Sequence, residues 1–159
     1  MPQALQPGSQ APAFDLPSDG GGRVRLADLK GRWVVLYFYP KDDTTGCTKE
    51  AIEFTAAASE FDALNAVVVG VSRDTARSHD RFKAKHQLAP VLGADVDGEM
   101  TERYGVWVEK SMYGRTYMGI ERATFLIGPE GTIRRVWRKV KVAGHVGAVL
   151  ESLRELNGG

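Results

Sequence analysis

The run Trp33-Val34-Val35-Leu36-Tyr37-Phe38-Tyr39 offers no polar face on either side of an extended chain. Side chains alternate across a strand, so a run that is apolar at every position demands cover from both sides. That predicts a central strand in a layered α/β domain. Pro40-Lys41-Asp42-Asp43-Thr44-Thr45-Gly46 then reads as a short polar loop, and Cys47, the only cysteine, follows it. Ile52, Phe54, Ala58, Phe61 and Leu64 recur at helical spacing, which predicts a helix from Thr48 to about Asn65. Backbone N–H groups at a helix N-terminus carry partial positive charge and favour a thiolate over a thiol. The thiolate is the reactive form, so Cys47 reads as a nucleophile. The competing reading is a small buried hydrophobe. Asp42, Asp43, Thr44, Thr45, Thr48 and Lys49 argue against burial in an apolar core.

At 159 residues the chain can bury an ordinary core, and one domain is expected over 1–159. Lys and Arg total 21 against 20 Asp and Glu, so the net charge of +1 offers no field for nucleic acid or an anionic membrane. The longest apolar run, Trp33 to Tyr39, is too short to span a bilayer. The opening residues lack the basic-then-apolar pattern of a signal peptide. One cysteine cannot form an internal disulfide, and the expected location is the cytoplasm. His79, His86 and His145 show no metal-ligand spacing with one another or with Cys47, and no Gly-x-x-x-x-Gly-Lys pattern is present. Neither a metal nor a cofactor is expected.

Residues 1 to about 22 are rich in Pro, Gly and Gln and read as a loosely ordered lead-in. Arg23 to Leu26 is a short alternating segment, an expected edge strand, and Val67 to Ser72 is a second buried strand. Asp74 or Ser72 is placed to cap the helix carrying Phe82 to His86. Pro90 to Leu92 is a weaker strand, and a short helical piece follows around Met100 to Tyr104. Ala123 to Ile127 and Thr132 to Trp137 flank Gly128-Pro129-Glu130-Gly131 and read as a hairpin. Val146, Val149, Leu150, Leu153 and Leu156 make an amphipathic helix. The basic cluster Arg134, Arg135, Arg138, Lys139 and Lys141 reads as a solvated edge that discourages strand pairing. Trp107 and Tyr113 flank a polar loop, read either as the rim of a substrate entrance or as ordinary packing. Alternation first and a hairpin second implies a central mixed β-sheet flanked by helices on both faces. That order is the one expected of a thioredoxin-like fold, in which the loop after the first central strand meets a helix N-terminus.

A thiol–disulfide exchanger would need Cys-x-x-Cys at this loop, because the second thiol resolves the mixed disulfide. This chain has Thr44-Thr45-Gly46-Cys47. A hydroxyl cannot resolve a disulfide, but it can donate to and accept from an oxygen-rich substrate. The residues point to attack on a peroxide. Such an attack needs a thiolate, donors for the peroxide oxygens, a cation and exclusion of bulk water.

Pro40-x-x-x-Thr44-x-x-Cys47 resembles the peroxidatic signature of peroxiredoxins, and Phe38 to Thr48 is similar to the Q-type branch, the bacterioferritin comigratory proteins. The likeness extends to Tyr104-Gly105-Val106-Trp107, to Tyr117 through Ile127, and to Val140 through His145, from about Pro12 to Leu153 in all. The resemblance implies that Cys47 attacks the terminal peroxide oxygen and becomes a sulfenic acid. It implies that Thr44 hydrogen-bonds peroxide and thiolate, and that Pro40 shields the sulfur from water. Arg122, which by its residue context alone reads as a solvated strand-end arginine, would favour the thiolate and hold the peroxide. Glu50 would orient that arginine, although its place also suits a helix N-terminal carboxylate. Thr45 stands where the branch usually has proline.

Members of the branch carry a resolving cysteine at the position of Ile52 or of Lys83, and neither is cysteine here. The implied activity is therefore a one-cysteine, antioxidant peroxidase acting on hydrogen peroxide and small organic hydroperoxides. Its sulfenic acid would be reduced by an external thiol (thioredoxin, glutaredoxin or glutathione), and the protein would be a monomer or weak homodimer. Two further readings stand beside it. One is a non-enzymatic peroxide sensor that signals through a mixed disulfide with a partner protein; the other is a holdase-like chaperone in a large assembly.

Overall fold

The computed structural model describes residues 4–158, so Met1, Pro2 and Gln3 of the expected lead-in lie outside the described residues. The rest of that lead-in is ordered, contrary to expectation. Gly8 N–H donates to Ile133 O and Ala11 N–H to Gly131 O, which stitches the segment to a distant turn. Strand β1 (Asp15–Pro17) pairs antiparallel with β2 (Arg23–Arg25), and Ala11, Phe14, Leu16 and Val24 are buried. The Pro and Gly content hid a short apolar alternation that covers one face of the main sheet.

The chain continues through β3 (Trp33–Phe38), α1 (Thr45–Ala56), α2 (Ala58–Ala63), β4 (Ala66–Ser72) and α3 (Ala76–His86). Then come β5 (Val91–Ala94), α4 (Glu99–Arg103), β6 (Trp107–Met112), β7 (Arg115–Ile120), β8 (Ala123–Ile127), β9 (Ile133–Trp137) and α5 (His145–Gly158). The main sheet has the order β5-β4-β3-β8-β9. β3, β4 and β5 run parallel, whereas β8 is antiparallel to β3 and β9 to β8. β3 is central and every one of its residues is buried, as its two-sided apolar run requires.

Alternation along β3 divides the core. Val34, Leu36 and Phe38 pack with Leu16, Val24, Met100, Tyr104 and Phe125, under β1, β2 and α4. Val35, Tyr37 and Tyr39 pack with Cys47, Phe54, Phe61, Phe82, Val149 and Leu153, under the other helices. Helices thus flank both faces, unevenly. Among the described residues no helix is long and apolar enough to cross a membrane.

Three local expectations need correction. The helix expected to run to Asn65 breaks at Ala57 into α1 and α2. Phe54 and Phe61 would be about 10 Å apart along one continuous helix, and the break brings their ring centroids to 5.9 Å. Packing overrides alanine's helix propensity there. The cap of α3 is Thr75, whose side chain accepts from Ser78 N, and not Ser72 or Asp74. The expected polar loop between Trp107 and Tyr113 is instead the first strand of a hairpin, β6–β7. Tyr113 (φ 52°) and Gly114 (φ 76°) are both left-handed, as a two-residue type I′ turn requires. Tyr-Gly is a weaker sequence signal for that turn than Asn-Gly, so the hairpin was hidden.

Gly70 on β4 lies beside Tyr37, and a Cβ there would come within 2.6 Å of the tyrosine ring. Tyr37 is fully buried and stacked on Phe54 at 4.6 Å, so it has nowhere to move. Gly70→Ala is expected to destabilise the protein by about 1–3 kcal/mol through overpacking, measured by urea denaturation; unchanged stability would show that the ring can shift.

Candidate active site

β3 ends at Phe38, the chain bends at Pro40, and α1 starts at Thr45 with Thr44 as its N-cap residue. Cys47 therefore stands in the first helical turn, ahead of the N–H of Thr48, which donates to Thr44 O. The first amides of a helix have no partner within it, and they face the region of the sulfur with partial positive charge. Cys47 is only 1% exposed and packs in the core beneath the helices. Cys47 is thus buried despite the polar residues around it in the sequence, because the first turn of α1 carries its side chain into the core.

Among the described residues one cation touches the sulfur. Arg122, in the bend between β7 and β8, donates from Nη2 to Cys47 Sγ at 3.4 Å and from Nη1 to Glu50 Oε1 at 2.6 Å. Its side chain is 16% exposed, so it is not the solvated strand-end arginine that its sequence context suggested. Gly46 makes room for it, since a Cβ there would sit 3.1 Å from Nη2. Glu50 lies three residues past Cys47, on the same face of α1, and is fully buried. Among the described residues its second oxygen, Oε2, has no hydrogen-bond partner. Burial pushes the Glu50 carboxyl up to about 7, against the pull of the Arg122 charge and hydrogen bond. Burial alone would lower the Arg122 pKa, but the charges of Glu50 and Cys47 hold it above its usual value.

Pro40 is half-buried at the bend and lies in the same loop. Thr44 is exposed, and its hydroxyl donates to Lys41 O at 2.8 Å. Its one proton is thus committed to the loop backbone. The hydroxyl keeps lone pairs that can accept from a peroxide O–H, but it does not donate to the sulfur here.

Two further neighbours, Lys110 and His145, carry little signal in the sequence. Lys110 on β6 is drawn down in pKa by burial and by the Arg122 charge, opposed by Cys47 and Glu121, which places it in the electrostatic field of the site. Only the β6–β7 hairpin, hidden in the sequence, brings it there. His145, at the start of α5, shares a 2.7 Å hydrogen bond with buried Thr124 on β8. Burial and the nearby Arg122 charge lower its pKa to about 4, so it is neutral and adds no charge beside the arginine. The Arg122-Ala123-Thr124 spacing was the available signal. Among the described residues no group of three or more His, Cys, Asp or Glu side chains is placed to hold a metal ion.

A parallel–antiparallel sheet that presents a thiol on a helix N-terminus, with an arginine against the sulfur, defines a thioredoxin-fold thiol enzyme. Residues 7–136 match the model of the AhpC/TSA family. The chain is 49% identical to the peroxiredoxin Bcp of Xanthomonas campestris, over 91% of each chain. It is 45% identical to the peroxiredoxin Bcp of Bacillus subtilis, over 96% of this chain and 98% of that one. A solved structure of the Xanthomonas campestris bacterioferritin comigratory protein, studied for alkyl peroxide reduction, superposes with a TM-score of 0.87 at 46% identity, covering 91% of this chain and 92% of that one. The chain belongs to the AhpC/TSA family and is a peroxiredoxin of its Bcp, or Q-type, branch.

The raised Glu50 pKa sets a sign for stability against pH. A carboxyl that keeps its proton longer when folded stabilises the protein fully below its unfolded value near 4.5, and that contribution is lost as pH rises through about 7. The melting temperature of the parent is therefore expected to fall more between pH 5 and pH 8 than that of Glu50→Gln, as read by differential scanning calorimetry. Equal falls would show that Glu50 is ionised throughout.

Proposed function

We propose that this thiol peroxidase reduces hydrogen peroxide and organic hydroperoxides with Cys47 alone, in the cytoplasm, and that an external thiol then reduces the oxidised sulfur back to the thiol. The observation that carries the reading is the 3.4 Å contact from Arg122 Nη2 to Cys47 Sγ. A permanent cation against the sulfur favours the anionic nucleophile, and its remaining N–H groups can hold the peroxide oxygens. The sulfur attacks the distal peroxide oxygen, the O–O bond breaks, and the alkoxide or hydroxide leaves and is protonated. Cys47 becomes a sulfenic acid. Thr44 accepts from the peroxide O–H, and Pro40, which has no N–H of its own, closes the loop against water.

Cys47 is the chain's only cysteine, so the sulfenic acid is reduced from outside. One thiol displaces water to form a mixed disulfide on Cys47. A second thiol then releases Cys47 and leaves as a disulfide with the first. Thioredoxin, glutaredoxin and glutathione all supply the required chemistry.

Stopped-flow tryptophan fluorescence of the reduced protein mixed with hydrogen peroxide tests this reading. Trp33 begins β3 and the site lies beyond its other end, so Trp137 is the better reporter, 5.8 Å from the ring of His145. A second-order phase several orders of magnitude faster than free cysteine is expected, and it should vanish in Cys47→Ser. Arg122→Lys loses the fork that touches both sulfur and Glu50, and is expected to slow the phase by about 10²-fold. A parent rate no better than free cysteine would sink the peroxidase reading.

A further inference from the structure

Attack on a peroxide leaves an alkoxide or hydroxide that must collect a proton, and the groups already placed around Cys47 are poor sources of one. The Thr44 proton is held by Lys41 O, and His145 is neutral and engaged with Thr124. Arg122 keeps its charge at every working pH. Glu50 is fully buried, and its paired oxygen is taken by Arg122.

Lys110 is a different case. It stands on β6 directly opposite Tyr117 of β7, so the two side chains share a face of the hairpin, with Gly119 the next residue along it. A Cβ at Gly119 would meet Lys110 Cδ at 3.2 Å, the Tyr117 ring at 3.4 Å and Lys110 Cε at 3.5 Å. The lysine stem therefore lies across Gly119 and leans towards the base of the hairpin. That base continues through Glu121 into Arg122, whose Nη2 touches the sulfur at 3.4 Å. Lys110 is half-buried, and among the described residues its ammonium has no hydrogen-bond or ion-pair partner. Glu121 is not free to pair with it, because Arg138 holds both carboxylate oxygens and one of them also accepts the Lys139 N–H. Glu109 falls on the opposite face of β6. Burial and the Arg122 charge lower the Lys110 pKa against the charges of Cys47 and Glu121, so its proton is held more loosely than that of an exposed lysine.

We propose that Lys110 is the general acid of peroxide reduction and delivers its proton to the oxygen that leaves. The Cys47 sulfur forms a bond to the distal peroxide oxygen, which keeps its hydrogen, and the O–O bond breaks. The leaving oxygen takes the bonding pair and a proton from the Lys110 ammonium, and it departs as an alcohol or as water. Sulfur is oxidised from thiolate to sulfenic acid, the peroxide is reduced, and the neutral amine regains its proton from solvent. This deepens the peroxidase reading above and rests on it. Arg122 supplies charge alone, whereas a lysine supplies charge and a transferable proton.

Stopped-flow fluorescence of the reduced full chain with two oxidants separates the proton from the charge. Hydrogen peroxide must expel hydroxide, whereas peracetic acid expels acetate, which leaves without a proton. Lys110→Met is expected to slow oxidation by hydrogen peroxide about 10²-fold and to leave oxidation by peracetic acid unchanged. Lys110→Arg keeps the charge but cannot give up a proton, and it should show the same selective loss. Gly119→Ala crowds the lysine stem and should lower the hydrogen peroxide rate selectively by a smaller factor; it decides the matter if the lysine variants do not fold. Loss of both rates together in Lys110→Met, or full hydrogen peroxide activity in Lys110→Arg, would reduce the lysine to a charge or a prop and overturn the assignment. A selective loss in Glu50→Gln would overturn it too, by making Glu50 the acid. A parent that oxidises no faster than free cysteine takes the peroxidase reading down with it, whereas a fast parent matched by Lys110→Met removes only the general acid.

Discussion

The 2.6 Å contact between Arg122 and Glu50 joins the start of β8 to the first turns of α1, and the functional end of the molecule depends on it. Together with the longer contact to Cys47 Sγ, it turns the guanidinium inward beneath the helix. Its worth is in placement rather than net stability. Taking both charges out of water costs nearly what their attraction returns, although removing one partner alone costs about 3–5 kcal/mol because the other is left buried. The raised pKa of Glu50 shows the same balance, with one carboxylate oxygen paired and the other without a partner. The backbone supports the arrangement from the far side, where Val140 N–H donates to Arg122 O at 2.9 Å.

How far the sequence reveals this depends on the scale of each interaction. The central strand was legible because a run apolar at every position has one solution, and β3 takes it. The β8–β9 hairpin was legible from its Gly-Pro-Glu-Gly turn. Elements whose cues are tertiary were not. The break at Ala57 follows from two phenylalanines meeting, and no local preference announces it. Segment 8–17 looked loose because proline and glycine dominate its composition, whereas its order comes from hydrogen bonds to Gly131 and Ile133, more than a hundred residues away.

The site divides in the same way. Cys47 stands out by its loop and helix, and Pro40, Thr44, Glu50 and Arg122 enter through their likeness to a known motif. The structure brings Cys47, Glu50 and Arg122 into direct contact and leaves the Thr44 proton on Lys41 O. Polar neighbours misled the reading of Cys47 because polarity along a loop says nothing of which way the helix after it turns. Asp42 in the loop and His79 on α3, whose Nδ1 lies 2.7 Å from Asp42 Oδ2, carry no sequence signal as a pair, being 37 residues apart. Their meeting needs the parallel β3-β4-β5 order, which sets α3 beside the loop.

That order also bears on the two positions where related proteins would hold a resolving thiol. Ile52 is 45% exposed on α1, an apolar side chain turned to solvent close to the cysteine's own helix turn. Lys83 on α3 reaches Asp19 at 2.8 Å, and Asp19 accepts the N–H of Leu92 on β5 with its other oxygen. One turn earlier, Asp80 accepts from the N–H of Gly20. One side of α3 is thus tied to the 3-10 turn Asp19–Gly21, and another to the Cys47 loop through Ser78, His79, Lys85 and His86. A helix that must release a thiol gains from weak anchoring, whereas one that must hold a loop gains from strong anchoring. In this chain α3 carries no thiol and is anchored on both sides, to the Asp19–Gly21 turn and to the Cys47 loop.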